Sequence, residues 1–331
     1  MSRTMSTRQQ LLTYLKEGKG TWVSGESLAD KMAVSRSAIW KHIRHLKEDG
    51  YVIDSSRRKG YLLRQSSALL LADEIKEGLH TSVFGRRGIV YFKETDSTNT
   101  RAKFMASDGA PEGTVVIAEE QTQGKGRRGR RWFSPPGEGI YASIILRPSI
   151  SPHEAPRLTL LASVAVAEAI LAMTSLQVNI KWPNDILING RKVAGILTEI
   201  STEMDRIDYV IIGVGVNVNT PYASLPPDIK DIATSIVMET GNPFPRIALL
   251  RAYLEWLEMY YETFRTKGFE PVLNRWMNLA DIIGRRISVD LIDRVRTGEV
   301  LDIDKDGFLI LREQDGTLER IISGDVTLLH K

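Results

Sequence analysis

The sequence predicts an α+β multidomain protein: a helical N-terminal unit ending in a hairpin, a central mixed α/β unit, and a small C-terminal barrel. Three observations carry that expectation. The chain has 331 residues, more than one hydrophobic core ordinarily organises. Its apolar spacing changes twice along its length, from helical, to mixed, to short strands between turns. Its composition, 42% hydrophobic and 26% charged, is that of a soluble globular protein. The three domains are expected at 1–65, 66–278 and 279–331.

In the first segment Leu11, Leu12 and Leu15 form one apolar stripe, and Leu28, Ala29 and Met32 a second. After a turn at Ala33-Val34, Ser35 is placed to cap a third helix, in which Ile39, Ile43 and Leu46 fall at i, i+4, i+7. Gly50 ends it, and Tyr51-Val52-Ile53 and Tyr61-Leu62-Leu63 read as strands flanking the loop from Asp54 to Gly60. Gln65 to Ala68 reads as a linker. The exposed side of the third helix shows Arg36, Ser37, Trp40, Lys41 and Arg44, and the hairpin tip adds Arg57, Arg58 and Lys59. From Arg36 to Arg64 there are eight Lys/Arg against three Asp/Glu, in a chain whose net charge is only +3. Helix order, basic face and hairpin together predict a winged helix-turn-helix that binds DNA, with a basic surface serving only solubility as the alternative.

The central segment alternates strand-like runs with helices. The runs are Ile89–Phe92, Thr114–Ala118, Ile140–Leu146, Ile186–Ile188, Val193–Ile200 and Tyr209–Val218. Ser151-Pro152-His153-Glu154 has the form of a capping box ahead of the apolar helix Ala155–Met173. A second helix, from about Arg246 to Phe264, carries Leu250, Leu254, Leu257 and Tyr261 on one face. In the tail, short strands separated by Asp304-Lys305-Asp306-Gly307 and Gln314-Asp315-Gly316 suit a barrel of the SH3-like kind.

Composition also excludes chemistry. There is no cysteine, hence no disulfide, no thiolate metal site and no thiol nucleophile, in keeping with a reducing cytoplasm. The five histidines, including His330, show no metal spacing beyond His42/His45 in the basic helix. Any metal is expected to be a hard ion such as magnesium. The stretch Leu158–Met173, interrupted by Glu168, reads as too short to cross a bilayer, and no membrane partner is expected.

The most informative stretch is Gly124-Lys125-Gly126-Arg127-Arg128-Gly129-Arg130-Arg131-Trp132. Glycines let backbone amides approach an anion, and arginines supply forked donors. Such a loop is expected to be disordered when empty and to fold over a polyanion; on composition alone an RNA-binding arm remains open. A second motif decides for a site. Lys181-Trp182-Pro183-Asn184-Asp185 stands ahead of a strand, and after Asn189-Gly190 a second strand begins with Arg191-Lys192. Read as a hairpin, this brings Lys181 and Lys192 into one region, with Asn184 and Asp185 placed to hold magnesium against a triphosphate. Asp96-Ser97-Thr98-Asn99 is either a helix N-cap or a ligand site. Gly213-Val214-Gly215 lacks the third glycine and following helix of a dinucleotide fingerprint, so an apolar strand ending in a polar contact is the better reading.

Together these motifs make the chain resemble the bacterial biotin protein ligases that double as biotin operon repressors, over almost its whole length. That resemblance implies a central domain like the class II aminoacyl-tRNA synthetases, with biotin and ATP as substrates and Mg2+ as cofactor. It implies that Ser97, Thr98, Asn99, Gln121, Lys125, Gly126, Arg127 and Lys192 surround biotin. Arg130, Trp132 and Asn217 would meet the adenylate, with Asn184 and Asp185 near phosphates and magnesium. The family loop usually reads Gly-Arg-Gly-Arg; here Lys125 keeps the charge but not the fork. The implied chemistry forms biotinyl-5′-AMP and then transfers biotin to a lysine of a biotin carboxyl carrier domain, of acetyl-CoA carboxylase or pyruvate carboxylase. Arg127, Lys192, Asp185 and Lys181 would be the catalytic residues, Asp185 as a proton acceptor. The resemblance further implies operator DNA and a homodimer of the adenylate-bound form as partners. The alternatives are a lipoate-type acyl ligase and a biotin-sensing repressor without ligase activity.

Overall fold

A computed structural model describes residues 6–18, 20–203, 206–280, 282–291 and 294–329. His330 and residues 1–5 lie outside the described residues. The chain divides into two compact units, Met1–Glu77 and Gly78–Lys331.

The first unit holds α1 (Thr7–Glu17), α2 (Gly25–Met32), α3 (Arg36–Glu48), the hairpin β1 (Val52–Ser56) and β2 (Gly60–Gln65), and α4 (Ala72–Lys76). Each of the first three helices starts at a serine whose hydroxyl accepts backbone N–H bonds, Ser6, Ser24 and Ser35. The three apolar stripes are buried as the periodicity predicts, with Leu11, Leu28, Ile39 and Leu46 fully enclosed. Val23 pairs with Tyr61, so the hairpin gains a third, one-residue strand. A Cβ at Gly60 (φ +94°) would collide with Val23 there. The expected linker is packed rather than loose: Ser67 is buried and its hydroxyl donates to Asp49 O at 2.6 Å. Beyond it α4 is tied to the unit by Glu74, which accepts from Tyr51 Oη and Lys16 Nζ, both at 2.6 Å. Serine-rich sequence signals solvation unless a partner waits for the hydroxyl, and that partner, a helix-terminal carbonyl, was invisible locally.

The second unit is built on a seven-stranded sheet in the order β3-β4-β5-β9-β8-β7-β6. Its strands are β3 (Gly88–Phe92), β4 (Thr114–Ala118), β5 (Gly139–Leu146), β6 (Val178–Lys181), β7 (Asp185–Ile188), β8 (Arg191–Glu203) and β9 (Arg206–Asn217). β3 and β4 are parallel and every other pair is antiparallel. One face carries α5 (Thr98–Ser107), whose Ala102 and Ala106 pack on Val116, Ile145, Tyr209 and Ile211. α6 (Ala155–Met173) packs against β6 to β9 and against α8 (Arg246–Lys267) and α9 (Glu270–Leu279), while α7 (Ile236–Thr240) lies between sheet and α8 in the chain. With its preceding turn, α6 spans Pro152–Met173, long and apolar enough by composition to cross a membrane, which corrects the reading of it as too short. It is two-thirds buried, so it is a core helix. Among the buried groups of this unit is an ion pair, Arg246 Nη1 to Glu119 Oε2 at 2.8 Å.

The tail forms an antiparallel five-stranded sheet, β13-β12-β11-β10-β14. Its strands are β10 (Arg286–Asp290), β11 (Val295–Ile303), β12 (Leu309–Arg312), β13 (Leu318–Ile321) and β14 (Asp325–Leu328). This barrel is fastened to the central sheet domain by its β11–β12 turn. Trp182 Nε1 donates to Gly307 O at 3.0 Å, and Arg157 pairs with Asp306 at 2.6 Å.

Candidate functional site

Register positions the site. Residues directly opposite across antiparallel strands share a face. Lys181 faces Asp185, Asp185 faces Gly195, and Gly195 faces Gly215, so one row crosses β6, β7, β8 and β9. The next row sets Leu197 opposite Gly213 and Gly213 opposite Ser143. The glycines leave a bare floor between cationic and polar walls. Asn99 stands over Gly213 and the Trp132 indole over Gly215; a Cβ at either glycine would collide with them. At Gly195 a Cβ would lie 3.1 Å from both Lys192 Nζ and the Trp132 ring.

β7 and β8 join through Asn189 (φ 51°) and Gly190 (φ 76°), the left-handed pair that a two-residue hairpin turn requires. That turn folds Lys192 back beside Asp185, with Nζ 2.6 Å from Oδ1, and 5.4 Å from the centre of the Trp132 ring. The Gly/Arg loop is itself a narrow hairpin. Trp132 N donates to Gly124 O at 2.9 Å, Gly126 N to Arg130 O at 2.7 Å, and the tip turns through Arg128 (φ 56°) and Gly129 (φ 75°). From the tip Arg127 reaches Asn184 Oδ1 at 3.0 Å. Burial holds the Arg127 guanidinium below its ordinary value, against the upward pull of Asp325 and Asp185.

These elements enclose a cavity of about 520 Å³. Of the sequence-predicted residues, Gly126, Arg127, Arg130, Trp132, Lys181, Asn184, Asp185, Lys192 and Asn217 line it. Asn217 donates to Thr234 O at 3.0 Å, and Trp132 Nε1 is buried without a hydrogen-bond partner among the described residues. Ser97, Thr98, Asn99 and Gln121 form a separate, adjoining polar cluster rather than part of that lining. Gln121 Oε1 accepts from Thr98 N at 2.8 Å and Thr98 Oγ1 at 3.1 Å; Ser143 Oγ donates to Thr98 Oγ1 and Asn99 Oδ1; Asn99 Nδ2 donates to Glu199 at 2.8 Å. Ser97 occupies the N-cap of α5 but its hydroxyl makes no capping bond. Asp96 anchors that corner instead. Burial pushes its carboxyl up, but donors from Ser97 N, Thr95 and Arg101 outweigh this and hold it below its ordinary value. Lys125 is exposed and is not brought to the cavity.

The magnesium reading fits in part. Asn184 is committed, its Oδ1 to Arg127 and its Nδ2 to Ile196 O at 2.8 Å, so the amide oxygen aimed at a metal is taken by a guanidinium. Asp185 lines the cavity and keeps one carboxylate oxygen beyond its pair with Lys192. A magnesium ion carried on substrate phosphates needs only one or two protein carboxylates. Among the described residues no group of three His, Asp or Glu side chains is arranged to hold a metal alone.

In the first unit, Arg36, Ser37, Trp40, Lys41, Arg44, Arg57, Arg58 and Lys59 are all exposed. Arg36, Ser37, Trp40, Arg57 and Arg58 line one cleft between α3 and the hairpin. Arg44 stacks over the Trp40 ring at 5.4 Å, and Lys59 over Trp22 at 5.7 Å.

Sequence reasoning missed the glycine floor, the stretch Ile229–Ala233 along the cavity, and Asp325 and Thr327 from the barrel. Glycines at alternate strand positions, 213 and 215, were the available signal, since they mark close approach of another group. Nothing local identifies Ile232, although its carbonyl accepts Lys192 N at 2.8 Å.

Comparison with known proteins gives the following likenesses. A family described as "Biotin/lipoate A/B protein ligase family" matches residues 91–217, "HTH domain" residues 7–62, and "Biotin protein ligase C terminal domain" residues 282–329. The chain is 41% identical over 321 residues to the bifunctional ligase/repressor BirA of Bacillus spizizenii, covering 97% of this chain and 98% of that protein. It is 32% identical over 309 residues to BirA of Escherichia coli, covering 93% and 94%. Among solved structures it resembles the biotin protein ligase of Aquifex aeolicus in complex with biotin and ATP. There the TM-score is 0.63 at 29% identity, over 74% of this chain and 99% of that one.

Proposed function

This chain belongs to the family of bifunctional biotin ligases and repressors, and from that membership we propose how its own residues carry out both activities. It is a biotin protein ligase with repressor activity. Biotin's carboxylate attacks the α-phosphate of ATP, pyrophosphate leaves, and biotinyl-5′-AMP forms. A lysine amine of a biotin carboxyl carrier domain then attacks the activated carbonyl and AMP leaves.

The observation that carries the residue assignment is the row Lys181–Asp185–Gly195–Gly215, flanked by Lys192, Arg127 and Trp132 around one cavity. The first step joins two anions, so charge neutralisation and positioning are what a protein contributes. Lys192 and Arg127 supply the charge, with Lys181 beside them. Trp132, whose buried Nε1 has no hydrogen-bond partner among the described residues, meets the adenylate together with Asn217 and Arg130. Thr98, Asn99 and Gln121, with Ser97, hold biotin by exchanging bonds they now make with one another. Magnesium, when bound, would balance phosphate charge through Asp185. In the second step the attacking amine must lose its proton, since a free lysine titrates near about 10.4. Asp185, released from Lys192 once phosphate engages that lysine, is the acceptor. The Gly/Arg hairpin is the lid that keeps water from the mixed anhydride.

The cationic cleft of the first unit binds operator DNA, α3 in the major groove and the hairpin on the backbone. A homodimer of the adenylate-bound protein brings two such units to one operator. β8 supports this: among the described residues its pairing with β7 ends at Gly195 while its pairing with β9 runs on to Glu203, leaving an edge that a second copy can extend. Both partners would be met in the cytoplasm. The decisive experiment incubates the protein with biotin, Mg-ATP and a carrier domain and reads the carrier's mass. Addition of one biotin, absent with Lys192→Gln, is expected; lipoate accepted as readily as biotin would favour the other branch of the matched family.

A further inference from the structure

The barrel carries an arrangement that the chemistry above does not use. Across the β10–β14 pair Asp290 stands directly opposite Asp325. Like charges facing each other across strands are unfavourable unless a cation lies between them. The cations come from the Gly/Arg hairpin. Asp325 Oδ2 is 2.7 Å from Arg130 Nη2 and 3.5 Å from Arg128 Nη1, and Oδ1 is 3.6 Å from Arg127 Nη1. Arg128 Nη1 is also 3.4 Å from Asp290 Oδ2. Backbone carbonyls complete the cradle: Arg128 donates to Asp290 O at 3.1 Å and Leu291 O at 2.8 Å, and Arg127 to Gly324 O at 3.3 Å. Asp325 (23% exposed), Arg127 (24%) and Arg128 (29%) are shielded from water more than ordinary surface ion pairs, while Arg130 and Asp290 reach them from the exposed side.

We propose that the facing carboxylates Asp290 and Asp325 are a receptor on the barrel for the tip of the Gly/Arg hairpin, with Asp325 as a positioning residue that sets where the lid closes. The inference rests on the reading of that hairpin as the lid over the adenylate. Arg127 bridges the two domains, bonded to Asn184 on one side and to Gly324 and Asp325 on the other. Barrel and central domain therefore hold the same guanidinium of the lid.

The test uses full-length Asp325→Asn, Asp325→Glu and Asp290→Asn/Asp325→Asn proteins. Trypsin cleavage after Arg127 to Arg131 is timed first in the protein alone, which needs no ligase chemistry. Release of preformed biotinyl-adenylate is timed second. Asp325→Asn is expected to speed both by about tenfold, the scale of a lost hydrogen bond to a charged group. Asp325→Glu should restore most of the protection, and the double variant should add to the loss while the thermal midpoint shifts by no more than about a few degrees. Unchanged cleavage and release in Asp325→Asn overturns the proposal, as does a collapse of the thermal midpoint that Glu does not rescue. Failure of the wild-type protein to make adenylate would sink the ligase reading alone, and the cleavage arm would still decide the receptor.

Discussion

At the scale of single residues the site depends on what is missing from the strands. Gly215 and Gly195 carry no side chain, and the indole of Trp132 rests where one would be. Gly215→Ala is therefore expected to displace Trp132 and weaken retention of biotinyl-adenylate at least about tenfold, because the added methyl has no free volume to enter. Equilibrium binding of the adenylate checks it, and wild-type affinity in the variant would remove the floor from the argument. The charged residues of this site were legible because Gly/Arg and Lys-Trp-Pro-Asn-Asp concentrate donors that no core can use. Asp325 was not legible. A lone aspartate at the start of a barrel strand looks solvated, and only the register opposite Asp290 gives it meaning. Trp182 stands within the same motif, yet its indole is buried and bonded to Gly307 O of the barrel.

At the scale of elements, periodicity found the long helices and the apolar strands, and missed the short ones. β6 has four residues, and its antiparallel pairing with β7 across Trp182-Pro183-Asn184 makes Lys181 a strand residue, not a residue ahead of one. α5 begins in the very motif that also reads as a ligand loop, so the two signals masked each other. Two expectations follow from the elements. The β11–β12 turn docks through Asp306, whose carboxyl is held below its ordinary value first by the hydrogen bond from Arg157 and then by the charges of Arg157 and Arg320. A carboxyl lowered in the folded state stabilises above its unfolded value and loses that contribution as pH falls through the folded one. Barrel docking should thus be constant at neutral pH and weaken below about pH 4, an effect that Arg157→Gln reduces, Arg320 keeping the remainder, as measured by the pH dependence of thermal unfolding. In the first unit, the hairpin tip should contact phosphate. Arg57→Ala/Arg58→Ala is expected to lower the slope of log affinity against log salt by nearly two on duplex DNA while leaving carrier biotinylation intact. An unchanged slope would take the hairpin off the backbone.

At the scale of the whole molecule, one chain holds an HTH unit and a ligase unit whose Gly/Arg loop is proposed to close on an anion, and a single ligand is expected to couple them. Operator affinity should rise when biotin and ATP are added together and not with either alone, since only both yield the adenylate. Sedimentation of the same samples should report the dimer appearing in parallel. Affinity indifferent to both ligands would separate the two activities. The expected partition at 1–65, 66–278 and 279–331 followed the changes of apolar spacing, and it read Gln65 to Ala68 as a linker. The structure instead ties residues 67–76 to the first unit through Ser67 and Glu74. Long-range hydrogen bonds of this kind leave no trace in local pattern.

The burial of α6 has a consequence for how the protein is made. Its cover comes from β6 to β9, α8 and α9, all of which lie later in the chain. While the ribosome is still translating them, a greasy nineteen-residue rod is on display with nothing yet to lie against. Nascent chains stalled before α9 should accordingly clump or bind chaperones, and dependable expression will turn on how quickly the last third of the message is read.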